Sequence, residues 1–386
     1  MFGGEIFVKY EDGNTHYQDA LGRTSNHGDH FKKQIDELKP SIDDLCGCGS
    51  NFKYKDCCKN VPIEFRTSWT ELSIRERNLA FCRAIKDVLG LNSGKTWTDV
   101  RQEMNEEQIV ELYQFYSYLW PIDTDIYSLI PKPDGKYRAV YSGLLDTRML
   151  IAIAIPSASL FDEFLIQSPI INPNNVKPEF SPIHSPSSFK YKALKDFAMM
   201  LELEPYIGTG LINLIPDPSS FNQAMITEVL NMATMRKGEV SSEKDSKVIK
   251  RFYIEDLLNF HYTASHEFKV QLIRDSFGVP EVIASEYVDA FDANAEKSSL
   301  VALQETNSND SGQIFSFSME PNYEMAMFLA QVTGSVIVTD SESRWIEFQK
   351  AQHTVQGIPS YPLDIVSSQI KILPSDYMML DNLRSA

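Results

Sequence analysis

Leu211-Ile212-Asn213-Leu214-Ile215-Pro216-Asp217-Pro218 is a short apolar run with no solvated face, shut off by two prolines. A run of this length, bounded by turn residues, reads as a strand covered on both sides. Such strands belong to parallel sheets, whose crossover helices cover both faces. Phe164 to Gln167 and Val336 to Val338 are two more runs of this kind. Leu150 to Ile155 is a further strand candidate, and Ile6 to Tyr10 opens the chain with another. Strands near 165, 213 and 337 with helices between them predict an α/β (or α+β) fold, a mostly parallel sheet with helical cover and right-handed crossovers.

The helices announce themselves by their caps. Ser73-Ile74-Arg75-Glu76 is a capping box, and the helix it starts runs to about Leu89. Asn105 to Gln108 opens a second, with Ile109, Leu112, Tyr113, Tyr116 and Leu119 on one face and Pro121 as its stop. A proline-rich stretch from Pro169 to Pro186 precedes a helix with Tyr191, Leu194, Phe197 and Leu201 aligned, ending near Gly208 and Gly210. Ser220 with Gln223 is expected to cap the next helix, and Asn322 the one carrying Met325, Phe328 and Leu329. Residues 238–300 are charged and helical, as in a lid or an inserted bundle. The chain thus divides into a polar segment 1–43, a cysteine-rich stretch 44–60, a helical region 61–135 and an α/β body 136–386 with its insertion at about 238–300.

Charges sum to 36 − 53 = −17, which disfavours nucleic acid or an anionic membrane as the partner of the whole surface. Lys32, Lys33, Lys39, Lys53, Lys55 and Lys59 nevertheless cluster around the cysteines. No apolar run reaches the roughly 18 residues of a membrane span. Without a signal-like N-terminus, the cytoplasm is the expected compartment.

The chemistry that can be named lies in Cys46-Gly47-Cys48-Gly49-Ser50-Asn51-Phe52-Lys53-Tyr54-Lys55-Asp56-Cys57-Cys58. Four thiolates in two tight pairs suit a tetrahedral divalent ion, zinc above all. With four protein ligands no position is left for water, so the zinc would be structural. A disulfide is the bland alternative, disfavoured by the expected reducing compartment and by the awkward vicinal pair Cys57 and Cys58. The fifth thiol, Cys82, shares a helical face with Leu79, Ile85 and Leu89 and is expected in the core. His27 and His30 read as solvated loop residues beside a cysteine shell that is already full.

The spacing C-x-C-x8-C-C, with Gly-Ser after the second cysteine and Phe-Lys-Tyr-Lys inside, resembles the SEC-C motif of the preprotein-translocase motor's tail and many bacterial proteins. The resemblance covers about residues 44–60. It implies zinc binding by Cys46, Cys48, Cys57 and Cys58, and a protein partner met by Phe52, Lys53, Tyr54 and Lys55 as an exposed surface.

A second chemistry rests on strand ends, where open α/β sheets collect their ligands. Asp217 follows Ile215, Asp340 follows Val338, and Asp162 and Glu163 adjoin the Phe164 strand. Converging carboxylates, with Glu324 as another candidate, would hold magnesium or manganese and activate water, and Arg344 would steady a phosphate. Leu145-Asp146-Thr147 with Leu150-Ile151-Ala152, and Gly334 to Asp340 as a closing strand, are similar to PIN-type nucleases. This implies a metal-dependent hydrolase as the alternative to an interaction protein. The competing expectation is that these aspartates start turns and cap helices. His184 is expected exposed in the proline-rich loop, and His261 and His266 to lie on one helix without sharing a face. Nucleotide-binding glycine loops, a nucleophile elbow and an H-E-x-x-H pair are missing from the sequence.

Overall fold

The computed structural model describes residues 31–33, 40–144, 146–236, 242–295 and 320–352, together with strands at 6–9, 15–18, 24–25, 361–365 and 368–373. The expectations for His27, His30, Lys39, Tyr10 and Leu145 fall outside these residues.

Strands β1 (Ile6–Lys9), β2 (Thr15–Gln18) and β3 (Thr24–Ser25) form a small antiparallel sheet. Helices α1 (Ile74–Val88), α2 (Trp97–Glu103), α3 (Glu106–Leu119) and α4 (Ile126–Leu129) follow. The body then runs β4 (Arg138–Tyr141), α5 (Thr147–Ala158), β5 (Glu163–Gln167), α6 (Pro186–Thr209), β6 (Ile212–Ile215) and α7 (Gln223–Arg236). Next come α8 (Glu243–Phe260), α9 (His266–Phe277), α10 (Glu281–Asn294), α11 (Glu320–Thr333), β7 (Val336–Thr339), α12 (Glu342–Gln352), β8 (Tyr361–Ile365) and β9 (Ser368–Leu373).

The main sheet has the order β6-β5-β4-β7-β9-β8. Its first four strands are parallel, with Val140 opposite both Leu165 and Ile337, and Phe164 opposite Ile212. The hairpin β8–β9 joins β7 antiparallel. Every residue of β4 and β5 is buried, which requires cover on both faces. Helices α1, α5 and α6 pack together, with α1 and α6 on β6, while α11 packs on β4, β5 and β7 with α7 beside it. The α/β fold with a mostly parallel sheet is therefore as expected. One hydrophobic core runs from Ile74 and Phe81 through Tyr113 and Leu165 to Val338, so the early helices and the sheet share it. Helices α8 to α10 keep a small core of their own around Ile254, Leu258, Ile273 and Val288.

Four local expectations need correction. Leu150 to Ile155 is helix α5, not a strand. Its buried positions Leu150, Ile153, Ala154, Ser157 and Ala158 keep the helical period, which the apolar residues between them hid. The strand lies earlier, at β4, where Arg138 disguised it. The cap of α7 is Asn222, whose Oδ1 accepts from Ala224 N at 3.0 Å, while Ser220 sits in the preceding 3-10 turn. Asn322 lies inside the first turn of α11 rather than before it. His261 ends α8 and His266 begins α9, so the two do not share a helix.

Candidate metal centre

The cysteine-rich stretch folds as a miniature hairpin. Cys46 N donates to Phe52 O at 2.7 Å and Tyr54 N to Asp44 O at 2.8 Å. Between them the chain reverses through two left-handed residues, Gly49 (φ +78°) and Asn51 (φ +59°). Two 3-10 turns then meet at Cys57, Tyr54–Asp56 before it and Cys58–Asn60 after it. That junction turns two adjacent thiols back onto the pair from the hairpin.

The sulfur atoms of Cys46, Cys48, Cys57 and Cys58 all lie within 4.8 Å of one another. Cys48 and Cys57 are 3.5 Å apart and Cys57 and Cys58 3.9 Å. Sulfurs on a zinc tetrahedron with bonds of about 2.3 Å are separated by about 3.8 Å. No pair is bridged. Thiol hydrogen bonding divides the protons unevenly. Cys57 falls to about 6, an upward push from Cys46 being outweighed by Cys48 and Cys58. Cys48 falls to about 7 chiefly through Cys46, and Cys46 to about 7 as Cys57 and Cys58 outweigh the raising effect of Cys48. Cys58 goes the other way, raised by Cys46, Cys48 and Cys57, because the fourth thiol cannot readily ionise among three others. Such a donor set fits a divalent ion, whose charge replaces the retained proton. Zinc would be held by all four sulfurs, supplying a rigid cross-link and no reactive position.

The hairpin sits in a socket built by residues on both sides of it in the chain. Trp69 is 2% exposed and lies under Gly47. Tyr54 meets the Trp69 ring edge-on at 5.4 Å. Arg75, in the first turn of α1, donates from Nη1 to Gly49 O at 3.0 Å and from Nε to Ile207 O at 2.8 Å, tying the hairpin to the end of α6. Lys33 Nζ donates to Gly47 O at 2.8 Å and pairs with Glu76 at 2.6 Å. The Ser73–Glu76 capping box therefore has two tasks: it starts α1 and backs the metal loop. Sequence reading found the first task; the second needed Gly49 to be placed against it.

Of the residues expected to face a partner, Phe52, Lys53 and Lys55 are exposed. Both lysines pair with Asp43, at 3.5 and 2.9 Å. Tyr54 instead turns half inward onto Trp69, because the socket offers an aromatic edge where solvent was expected. Leu45, paired across the hairpin with Lys53, is a second large exposed apolar side chain on the hairpin. Cys82 is fully buried, its thiol pushed up to about 12 by burial, as a core cysteine should be.

The strand-end carboxylates take separate structural partners. Asp217 accepts from Ser219 N and Oγ at 2.9 and 2.7 Å, and burial raises its pKa. Asp340 accepts from Tyr141 Oη at 3.0 Å and is raised by burial to about 6. Asp146 caps α5 and pairs with Arg148 at 2.7 Å and Lys195 at 3.4 Å. These cations hold it below the usual carboxylate range despite burial. Both cations also reach Asp256 of α8, Arg148 at 2.9 Å and Lys195 at 3.1 Å. Arg344 pairs with Glu347 at 2.7 Å, and Glu324 is buried in α11. Asp162 accepts from Tyr137 N, while Glu163 pairs with Arg138 at 2.6 Å, and His184 is exposed. Asp146 and Asp340 follow neighbouring strands, but Asp217 lies beyond β5 at the sheet's far edge. Among the described residues, the cysteines are the one group of three or more metal-ligating side chains close enough to share an ion.

No helix among the described residues is long and apolar enough to cross a membrane. No protein-family model matches the chain, and neither curated proteins nor solved structures yield a significant match.

Proposed function

We propose that the protein is a docking or regulatory factor that meets a protein partner through a zinc-clamped knuckle. The observation that carries this reading is the arrangement at residues 46–58: four unbridged thiols close enough for one ion, under a hairpin with Leu45 and Phe52 exposed. Isolated surface apolar residues are ordinary, but two on one short, held hairpin give a partner apolar side chains to meet. The zinc cross-links the clip, so its surface is paid for before the partner arrives. The hydrolase alternative has no comparable support, since its carboxylates are engaged elsewhere. A photo-crosslinking amino acid at position 52, used in living cells, tests the proposal. A defined partner protein should be captured, and capture should vanish when Cys57→Ser removes a ligand. An unchanged set of captured proteins in the Cys57→Ser background would sink the idea.

A further inference from the structure

Helices α8 to α10 share a core separate from the main one, and α10 turns one side to it. Ala284 and Val288 of α10 are fully buried there with Ile254 of α8 and Ile273 of α9, and Phe291 packs beside them. The side facing away from that core is apolar, where a surface helix is expected to be charged. Val282 is 68% exposed, Ile283 and Tyr287 39% each, and Ala290 and Ala293 are exposed as well. Ile283, Tyr287 and Ala290 follow one another at steps of four and three, the spacing of a seam along which a second helix packs.

The same helix is acidic. It carries Glu281, Glu286, Asp289 and Asp292 and no lysine or arginine. Helix α9, packed beside it, answers three of these carboxylates. Arg274 pairs with Glu281 at 3.0 Å, His266 meets Asp289 at 2.9 Å, and Lys269 pairs with Asp292. Among the described residues, the Glu286 carboxylate has no partner. It lies one turn from both Ile283 and Ala290, inside the apolar seam rather than on its flank. Four residues at i, i+3, i+4 and i+7 frame the hole into which a neighbouring helix inserts a side chain. Ile283, Glu286, Tyr287 and Ala290 frame a first hole, apolar with a carboxylate at one corner. Glu286, Asp289, Ala290 and Ala293 frame a second, where two methyl groups lie between two carboxylates.

We infer that the outer face of α10 binds a basic amphipathic helix of a protein partner. A large apolar side chain of that helix enters the hole beside Ile283 and Tyr287. A lysine or arginine one turn away lays its stem over Ala290 and Ala293 and brings its charge to Glu286 and Asp289. Asp289 stays open to this, because it is exposed and a carboxylate accepts more than one hydrogen bond. The inference goes beyond the docking reading above, since this second surface is built without the cysteines and does not depend on zinc. Charge decides against the other occupants. A second copy packed α10 against α10 about a two-fold axis would bring Glu286 toward its own counterpart with no cation between them. Residues 298–319, which follow in the chain, hold Glu305 and Asp310 and no lysine or arginine. Nucleic acid and anionic lipid carry the same sign as the helix.

A library of helical peptides displayed on phage, selected on the full chain, tests this. Enriched sequences should place Lys or Arg one helical turn from Leu, Met or Phe. Synthesised and followed by fluorescence anisotropy, they should bind about tenfold more weakly to Glu286→Lys and to Ile283→Asp. Both positions are exposed, so the variants should keep the wild-type circular dichroism and thermal midpoint. Replacing the peptide's basic residue by glutamate should restore binding to Glu286→Lys. Cys57→Ser should leave the affinity unchanged. No enrichment, a consensus without a basic residue, or indifference to both α10 variants overturns the assignment. Peptides lost with Cys57→Ser but kept by Ile283→Asp belong to the knuckle, and they overturn it too. A wild-type dimer in analytical ultracentrifugation that Ile283→Asp turns into a monomer would give the face to a second copy and end the inference.

Discussion

A methyl group on Gly47 would lie 2.6 Å from the Trp69 ring, which is itself buried and cannot yield. Gly47→Ala should therefore lift the hairpin off its socket and cost about 1–3 kcal/mol, read as a lower thermal midpoint and weaker zinc retention. Gly208→Ala, where a methyl group meets open space near the end of α6, should be neutral or stabilising by up to about 1 kcal/mol. Equal effects at both sites would remove the socket from the account. Asp340 supplies a pH test. Its folded pKa of about 6 lies above the ordinary 3.8, so the folded state holds a proton that the unfolded state releases. Stability linked to this group is full below pH 4, falls as pH rises through 4 to 6, and stays low above that. Asp340→Asn keeps an acceptor for Tyr141 and should remove this decline, gaining roughly 2 kcal/mol over wild type at pH 7 but little at pH 4. Parallel urea-stability curves for the two proteins from pH 4 to pH 7 would contradict it.

Secondary-structure elements show which signals in the sequence were sufficient. Strands β5, β6 and β7 were legible because each carries a short, mainly apolar run between turn residues. Helices α1 and α3 were legible from their capping boxes, both formed as expected. β4 was not, because Arg138 opens it with a charge, which is tolerated where Asp134 and Glu163 neutralise it at the start of the strand. That pairing links residues 25 apart in sequence, and local periodicity carries no record of it. The four-cysteine cluster was readable from spacing alone, whereas Trp69 and Arg75, which seat it, were not. The same limit hid the network joining α5, α6 and α8. Lys195 lies between Asp146 and Asp256, 7% exposed, so these buried carboxylates depend on it and on Arg148. Lys195→Met should destabilise the protein by about 3–5 kcal/mol in urea, because it leaves buried charge uncompensated. Adding Asp256→Asn should recover part of the loss. A loss below about 1 kcal/mol for the single variant would place the network at the surface in solution.

For the whole molecule, the sheet and the knuckle are mechanically joined but separately stabilised. The main core runs through the helices and strands, while the knuckle's own cluster is Cys46, Cys58 and Trp69 with the remaining ligands and Tyr54 packed on it. A cluster this small contributes little apolar burial, so on the proposed reading an ion held by the four thiols would supply the remaining stability. The body, with its continuous core, should outlast loss of that ion. Native mass spectrometry of protein purified without added metal, before and after a strong chelator, examines this directly. The mass should exceed that of the bare chain by one zinc. After chelation the zinc should be lost and four thiols should become reactive, with Cys82 still protected until denaturant is added. A metal-free native mass, or four thiols that react equally with and without chelator, would contradict the account.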